Sequence, residues 1–187
     1  MPQLVALSLS IAVLGAIWAY LALGVLFGYV LVWAGFIAWG CFFHTGGDQK
    51  ALIKTICGNI FGIIVAWIAL LIIVKAGLGA DIGGNPIGAA IVVGVTVFFL
   101  VIVAKIDQLS AVPANVYGYA ATVAWAVSAP SAAGATPDVM GSGPLFSLTA
   151  PSFANPLVIL IVSMVLGAIF GYVSGQLAGV LGKKAVA

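Results

Sequence analysis

The sequence contains no arginine and no glutamate, so six lysines and four aspartates carry all of its formal charge. Charged residues make up only 5% of the chain, whereas hydrophobic residues make up 64%. So few polar side chains cannot cover the surface of a water-soluble domain. The composition therefore excludes an ordinary soluble protein and predicts an integral membrane protein.

The membrane-spanning segments also lack carboxylates, because Asp48, Asp81, Asp107 and Asp138 all fall in loops or at helix ends. Proton relays within membranes usually need such a group. The sequence shows no buried lysine that could hold an anion, no glycine-rich nucleotide loop, and no nucleophile with a partnering base. We therefore expect no enzyme activity and no cofactor, and we expect a neutral molecule rather than a proton or an ion as the solute.

Histidine and cysteine are scarce, which argues against a metal site. The chain has two cysteines, Cys41 and Cys57, without CxxC spacing, and His44 is its one histidine. The spacing from His44 to Asp48 is compatible with a pH-sensitive pair at the membrane surface or with an ordinary loop residue. The sequence predicts no metal ligands.

Six apolar runs dominate the chain, and most of them approach the roughly 20 residues that a helix needs to cross about 30 Å of hydrocarbon. They cover residues 3–22, 24–43, 53–75, 86–104, 112–128 and 156–181. We expect one membrane domain over residues 1–187, an all-α polytopic bundle of about six transmembrane helices.

The lysines predict an orientation in the membrane. If every run crosses, Lys75 lies on one side and the other five lysines, at 50, 54, 105, 183 and 184, share the opposite side. Cytoplasmic loops are enriched in lysine, so we expect both termini in the cytoplasm. The short run 112–128 leaves a re-entrant hairpin as the alternative. With so few lysines and no basic patch, nucleic acid is not an expected partner.

Small residues recur every four positions in the last run and predict close helix packing. They are Ser163, Gly167, Gly171, Gly175 and Gly179. Gly58 and Gly62 repeat the spacing in the third run, and the phrase GNIFG at 58–62 resembles GAIFG at 167–171. We interpret this as a 3+3 inverted repeat, with chance recurrence as the alternative. The glycine faces also predict a homo-oligomer.

Polar and aromatic residues define candidate pore positions in three of the runs. The fifth run concentrates polar groups, and the second carries an aromatic seam that could face either a lumen or a partner helix. The predicted positions are Pro113, Asn115, Tyr117, Tyr119, Trp33, Phe36, Phe43 and Asn59. Because polar atoms need partners in hydrocarbon whether or not a solute passes, structural hydrogen bonding remains the alternative for the fifth run.

The phrase WAGFIAWGCFF at 33–43, with Gly46-Gly47, Gly58-Asn59, Pro113-Ala114 and Gly118, resembles the YcdZ-like family of small bacterial inner-membrane proteins. The resemblance implies a multi-pass protein of the bacterial inner membrane. It implies no substrate.

These observations predict a channel or facilitator for a small uncharged polar solute, with urea or a short amide as the best guess. A membrane scaffold or accessory subunit that transports nothing is the alternative from another class. A transporter that couples a small solute to Na⁺ through carbonyls and hydroxyls is the third possibility.

The orientation can be tested by labelling introduced cysteines. Cysteines at Gly46 and Ala187 should react only from the cytoplasm, and a cysteine at Asp138 only from outside, because five lysines share the cytoplasmic side. A C-terminus labelled from outside, with Gly46 still inside, would contradict the full crossing of 112–128.

Overall fold

The computed structural model describes residues 1–78, 86–128 and 148–182. It forms six α-helices: α1 (Gln3–Tyr20), α2 (Val32–His44), α3 (Gln49–Lys75), α4 (Ile87–Ile102), α5 (Val112–Ser128) and α6 (Pro156–Leu181). A π-helical turn, Leu21–Val25, extends α1, and two 3-10 turns, Val103–Lys105 and Asp107–Leu109, connect α4 to α5. The predicted all-α bundle is confirmed. Asp81, Asp138, Lys183 and Lys184 lie outside the described residues.

Four of the helical segments are long and apolar enough to cross a membrane. They are Gln3–Val25, Gln49–Lys75, Ile87–Lys105 and Pro156–Leu181. The other two helices are shorter: α2 has 13 residues and α5 has 17, which correspond to about 20 and 26 Å. The bundle therefore combines four long helices with two short ones.

The predicted crossing helix over residues 24–43 is wrong, because the chain leaves the helical conformation before α2 begins. The turn that follows Val25 contains Gly28 with φ of 84°, a conformation that glycine adopts without steric strain. Regular α-helix resumes only at Val32. Hydropathy does not reveal this break, since the residues on both sides of it are apolar.

Two side-chain caps set the starts of α3 and α6. Asp48 Oδ1 accepts a hydrogen bond from the backbone N–H of Ala51 at 2.6 Å, and Asn155 Oδ1 accepts one from that of Leu157 at 2.9 Å. Pro156 occupies the first turn of α6, where its missing N–H has no consequence. Both caps satisfy backbone donors that a helix leaves free at its start.

Helices α3 and α5 run parallel to each other, and so do α2 and α6. Residue numbers increase together along three successive contacts of α3 with the chain from the 3-10 turn into α5. They are Lys54 with Asp107, Gly58 with Ala114, and Gly62 with Tyr119. Residue numbers also increase together along three contacts between α2, with the residue before it, and α6. They are Leu31 with Ser163, Gly35 with Gly167, and Trp39 with Gly171. Because α5 follows the direction of α3, this geometry favours a full passage of α5 over a re-entrant hairpin.

The two parallel pairs have the arrangement of two three-helix units. In each unit a long helix ends in a π or 3-10 turn, a short helix follows, and a second long helix completes the unit. The second long helix of each unit packs against the short helix of the other, α3 on α5 and α6 on α2. The related glycine phrases at 58–62 and 167–171 lie at these two contacts. This arrangement favours the 3+3 inverted repeat over chance recurrence, and the repeat stays a prediction.

The small residues of α6 meet α2 of the same chain. Ser163 Oγ accepts a hydrogen bond from the backbone N–H of Leu31 at 2.8 Å. A Cβ atom on Gly167 would collide with the backbone of Gly35, and one on Gly171 would lie 3.0 Å from Trp39 Cδ1. Most of this face is thus used within one chain, so the predicted homo-oligomer would need other surfaces and stays a prediction.

The last two positions of the predicted face pack less closely. A Cβ atom on Gly175 would meet Phe42 and Phe43 at ordinary contact distances of 3.8 and 3.9 Å, and one on Gly179 would meet no atom within 4 Å. The packing face therefore loosens at Gly175 and ends before Gly179.

Alanine substitutions at Gly167 and Gly179 should have opposite effects on stability. Gly167→Ala should destabilise the fold by about 1–3 kcal/mol, because the added methyl group overpacks the contact with α2. Gly179→Ala should stabilise it by up to about 1 kcal/mol through helix propensity. Unfolding in detergent measures both, and equal effects would contradict the close contact.

Candidate functional site

The candidate site lies where α3 and α5 approach so closely that their backbones touch. A Cβ atom on Gly62 would collide with the carbonyl oxygen of Asn115, and one on Gly118 would collide with that of Asn59. Only glycine fits at these two positions. The predicted packing role of Gly62 thus has a defined partner, the first two turns of α5.

Asn59 is buried at this contact without a hydrogen-bond partner for its side chain. The residue is 1% exposed, and neither its amide nitrogen nor its amide oxygen meets a partner among the described residues. One helical turn earlier, Thr55 is 0% exposed, and its hydroxyl lies beside the thiol of Cys41 without a short hydrogen bond to the described residues. Buried polar groups in proteins are nearly always bonded to protein, water or ligand, so the unpartnered amide of Asn59 is exceptional.

Asn115 combines a structural role with one free oxygen. Its Nδ2 atom donates to the carbonyl oxygens of Leu100 at 3.1 Å and Leu109 at 3.0 Å, which fastens the start of α5 to the end of α4. Its Oδ1 atom has no partner in the described part of the chain and faces Gly58, whose Cβ position would lie 2.8 Å away. The sequence left two alternatives for Asn115, structural hydrogen bonding and a pore role. Its Nδ2 atom has the structural bonds, and its Oδ1 atom remains without a partner.

The unpartnered polar atoms share a location. Within the described ranges there are five buried side-chain nitrogen or oxygen atoms without a partner, and all belong to α3 or α5: Thr55 Oγ1, Asn59 Nδ2 and Oδ1, Asn115 Oδ1 and Trp125 Nε1. The first four lie within two turns of α3 and the facing turn of α5. Among the described residues, buried side-chain polar atoms without a hydrogen-bond partner therefore occur on α3 and α5.

The tyrosines predicted for the pore are hydrogen-bonded to protein groups. The hydroxyl of Tyr117 lies 3.0 Å from His44 Nδ1, and that of Tyr119 lies 3.0 Å from Thr96 Oγ1. The suggested pairing of His44 with Asp48 does not form, since Asp48 caps α3. Tyr117 instead connects the end of α2 to α5.

Pro113 lies at the end of the bundle where α2 ends and α3 begins. It lines an open cavity of about 260 Å³ together with His44, Thr45, Lys54, Ser110 and Ala111. Lys54 Nζ donates to Asp107 Oδ1 at 2.9 Å beside this cavity. Lys54 and Asp107 thus form an ion pair beside this cavity, whereas Thr55, Asn59 and Asn115 carry no formal charge.

The aromatic residues predicted on α2 pack against two apolar clusters. Trp33 packs against the central cluster, Phe43 packs against the cluster around Trp18 and Trp39, and Phe36 is 42% exposed and stacks on Trp39 at 5.7 Å. Phe36 and Phe43 are seven residues apart and both lie on the side of α2 that carries Trp39. A lumen role for these aromatic residues stays a prediction.

An apolar cluster fills the centre of the bundle beside Asn59. Its buried members come from α2, α3, α5 and α6: Ala34, Ala38, Ile63, Ala121, Ile159, Leu160, Met164 and Ala168. A solute that reaches Asn59 would have to displace some of these side chains or move along the α3–α5 contact.

Sequence reasoning missed Thr55 and the buried bonds of the tryptophans. Thr55 precedes Asn59 by four residues, a spacing that places both on one helix face, so this signal was available. Trp39 Nε1 donates to Ser174 Oγ at 3.0 Å, and Trp18 Nε1 donates to the carbonyl oxygen of Val32 at 2.9 Å. These bonds depend on how helices meet, and no local pattern predicts them.

No group of three or more metal-ligating side chains occurs within residues 1–78, 86–128 and 148–182. The oxygen and nitrogen atoms at the site come from amides, a hydroxyl and an indole. Such a set can donate and accept hydrogen bonds without changing charge.

The long apolar helices and the neutral buried site indicate a polytopic helical membrane protein. The chain belongs to the family described as "Protein of unknown function (DUF1097)", whose model matches residues 8–179. The narrower YcdZ-like resemblance stays a prediction. Neither the curated proteins nor the solved structures gave a match.

Leucine substitutions should distinguish Asn115, whose amide nitrogen has structural hydrogen bonds, from Asn59, whose amide has none to the described residues. Asn115→Leu leaves the carbonyls of Leu100 and Leu109 without their donor, so we expect a loss of about 1–3 kcal/mol in unfolding free energy. Asn59→Leu removes no bond to the described residues and should be less destabilising. Unfolding in detergent compares the two, and a larger loss from Asn59→Leu would assign Asn59 a structural partner.

Proposed function

We propose that the protein is a channel or facilitator that passes a small uncharged polar solute across the bacterial inner membrane, with both termini in the cytoplasm. The observation that carries the proposal is the amide of Asn59, which is buried with a donor and an acceptor both unengaged by the described residues. Urea and short amides present the complementary pair of groups.

The neutrality of the site supports an uncharged solute. Lys50 and Lys54 lie in the first two turns of α3, Lys75 is its last residue, and Lys105 ends the 3-10 turn after α4. Asp48 immediately precedes α3, and Asp107 begins the 3-10 turn that precedes α5. An ion taken to Asn59 would lose its hydration without meeting an opposite charge, which is unfavourable in a membrane interior. A neutral solute avoids that loss.

The repeat-like architecture supports transport over a purely structural role. Transporters often use two repeated units with interrupted helices around a site between them. Here Asn59 of the first unit faces Gly118 of the second, so motion between the units would alter the space around the amide. The internal bonds of Tyr117 and Tyr119 favour the scaffold alternative, which the flux experiment below addresses.

Flux through proteoliposomes tests the proposal. Wild-type protein should accelerate urea or acetamide entry, followed by stopped-flow light scattering, above the rate of protein-free vesicles. Asn59→Leu and Thr55→Val should slow the flux about fivefold or more, since a lost hydrogen bond in a buried site costs about 1–3 kcal/mol. Thr96→Val is the matched control, because Thr96 bonds within α4 and to Tyr119.

Each other outcome assigns a different role. Wild-type rates equal to those of empty vesicles for every neutral solute would contradict the channel and leave the scaffold. Flux that requires a Na⁺ gradient would indicate coupled transport. Normal flux in Asn59→Leu would retain the function and reject this site.

A further inference from the structure

Helix α4 presents an unusually exposed apolar face. Only 11% of its most apolar window is buried inside the chain, compared with 44% for α3 and for α6. An elongated open groove of about 720 Å³ runs along this face and is lined by Gly94, Val97, Phe98, Val101, Ile102, Ala104 and Lys105. In a bilayer, such a groove faces lipid.

The length of the groove matches one leaflet of a membrane. From Gly94 to Lys105 the helical segment rises about 18 Å, at about 1.5 Å per residue in α-helix and 2 Å in the 3-10 turn. Half of a hydrocarbon core of about 30 Å is close to this value. One acyl chain can therefore lie along the groove from the middle of the membrane to its surface.

Lys105 provides a positive charge at the end of the groove where a lipid headgroup would lie. Lys105 lines the groove, and its residue is exposed. The nearby carboxylate of Asp107 accepts a hydrogen bond from Lys54 Nζ at 2.9 Å, so it is engaged by another lysine. A lysine in this position can extend its stem along apolar atoms and place its ammonium at the interface. Such a group attracts anionic lipid.

We propose that this groove binds one anionic glycerophospholipid, with an acyl chain along α4 from Gly94 and the phosphate at the ammonium of Lys105. The proposal depends on the membrane location of the protein and is independent of the proposed transport. A second copy of the chain on the same face is the competing occupant.

Two substitutions probe the two halves of the lipid. Lys105→Gln removes the charge, and Lys75→Gln is its control, at the far end of another helix beside a smaller groove of about 320 Å³. Gly94→Leu fills the groove, since a Cβ atom there would meet nothing within 4 Å. Gly40→Leu is the matched control, because Gly40 has the same open surroundings outside the groove. Both glycine variants should fold, since leucine favours helix over glycine.

Native mass spectrometry of protein in neutral detergent, with equimolar phosphatidylglycerol and phosphatidylcholine, measures retained lipid. Wild-type protein and both controls should retain phosphatidylglycerol preferentially. Lys105→Gln should lower that preference about fivefold, the effect of one lysine near an anionic surface. Gly94→Leu should reduce retention of both lipids, because the acyl chain loses its groove.

Three results would overturn the proposal. The first is no preference for phosphatidylglycerol in the wild type. The second is equal loss of preference in Lys105→Gln and Lys75→Gln, which would indicate general surface charge. The third is a dimer without retained lipid that Gly94→Leu dissociates, which would assign the face to a second copy.

Discussion

The close approach of α5 to α3 is the contact on which the rest of the structure depends. Gly62 and Gly118 each occupy a position where a side chain would collide with the opposite backbone. Apolar helices gain little from meeting each other in lipid, so association relies on such tight packing and on polar contacts. Gly167 and Gly35 provide the same contact between α6 and α2. Each short helix is thus held in place by the long helix that it touches.

The same closeness explains why polar atoms at the site lack partners. Asn59 lies beside the backbone of α5 at Gly118, whose N–H groups already bond within the helix, so its amide oxygen finds no free donor there. Asn115 escapes this situation because α4 ends beside it and offers the carbonyl oxygens of Leu100 and, beyond the helix, of Leu109. An unbonded amide in an apolar interior is unfavourable by a few kcal/mol, and a bound solute or water would offset that loss.

Composition alone predicts the four long helices, because a span of about 20 apolar residues has few other stable structures in a membrane. It fails at residues 26–31, where the chain turns at Gly28 inside an apolar run. The four-residue spacing from Ser163 predicts a packing face, but its partner α2 follows only from the fold. At the site, sequence identifies Asn115 as polar and important, whereas its bonds depend on where α4 ends.

The two halves of the chain both use glycines for close helix contacts, but the polar residue at this contact in the first half has an apolar counterpart in the second. Matching the phrase at 58–62 with that at 167–171 pairs Asn59 with Ala168, which is buried in the central apolar cluster. A pore along the axis between the halves would carry polar groups from both of them. Because the unpartnered atoms of the described residues all lie on α3 and α5, the proposed path follows that contact. The bonds of Asn115 Nδ2 fasten α5 to α4, so opening the path would require these two helices to move together away from α3.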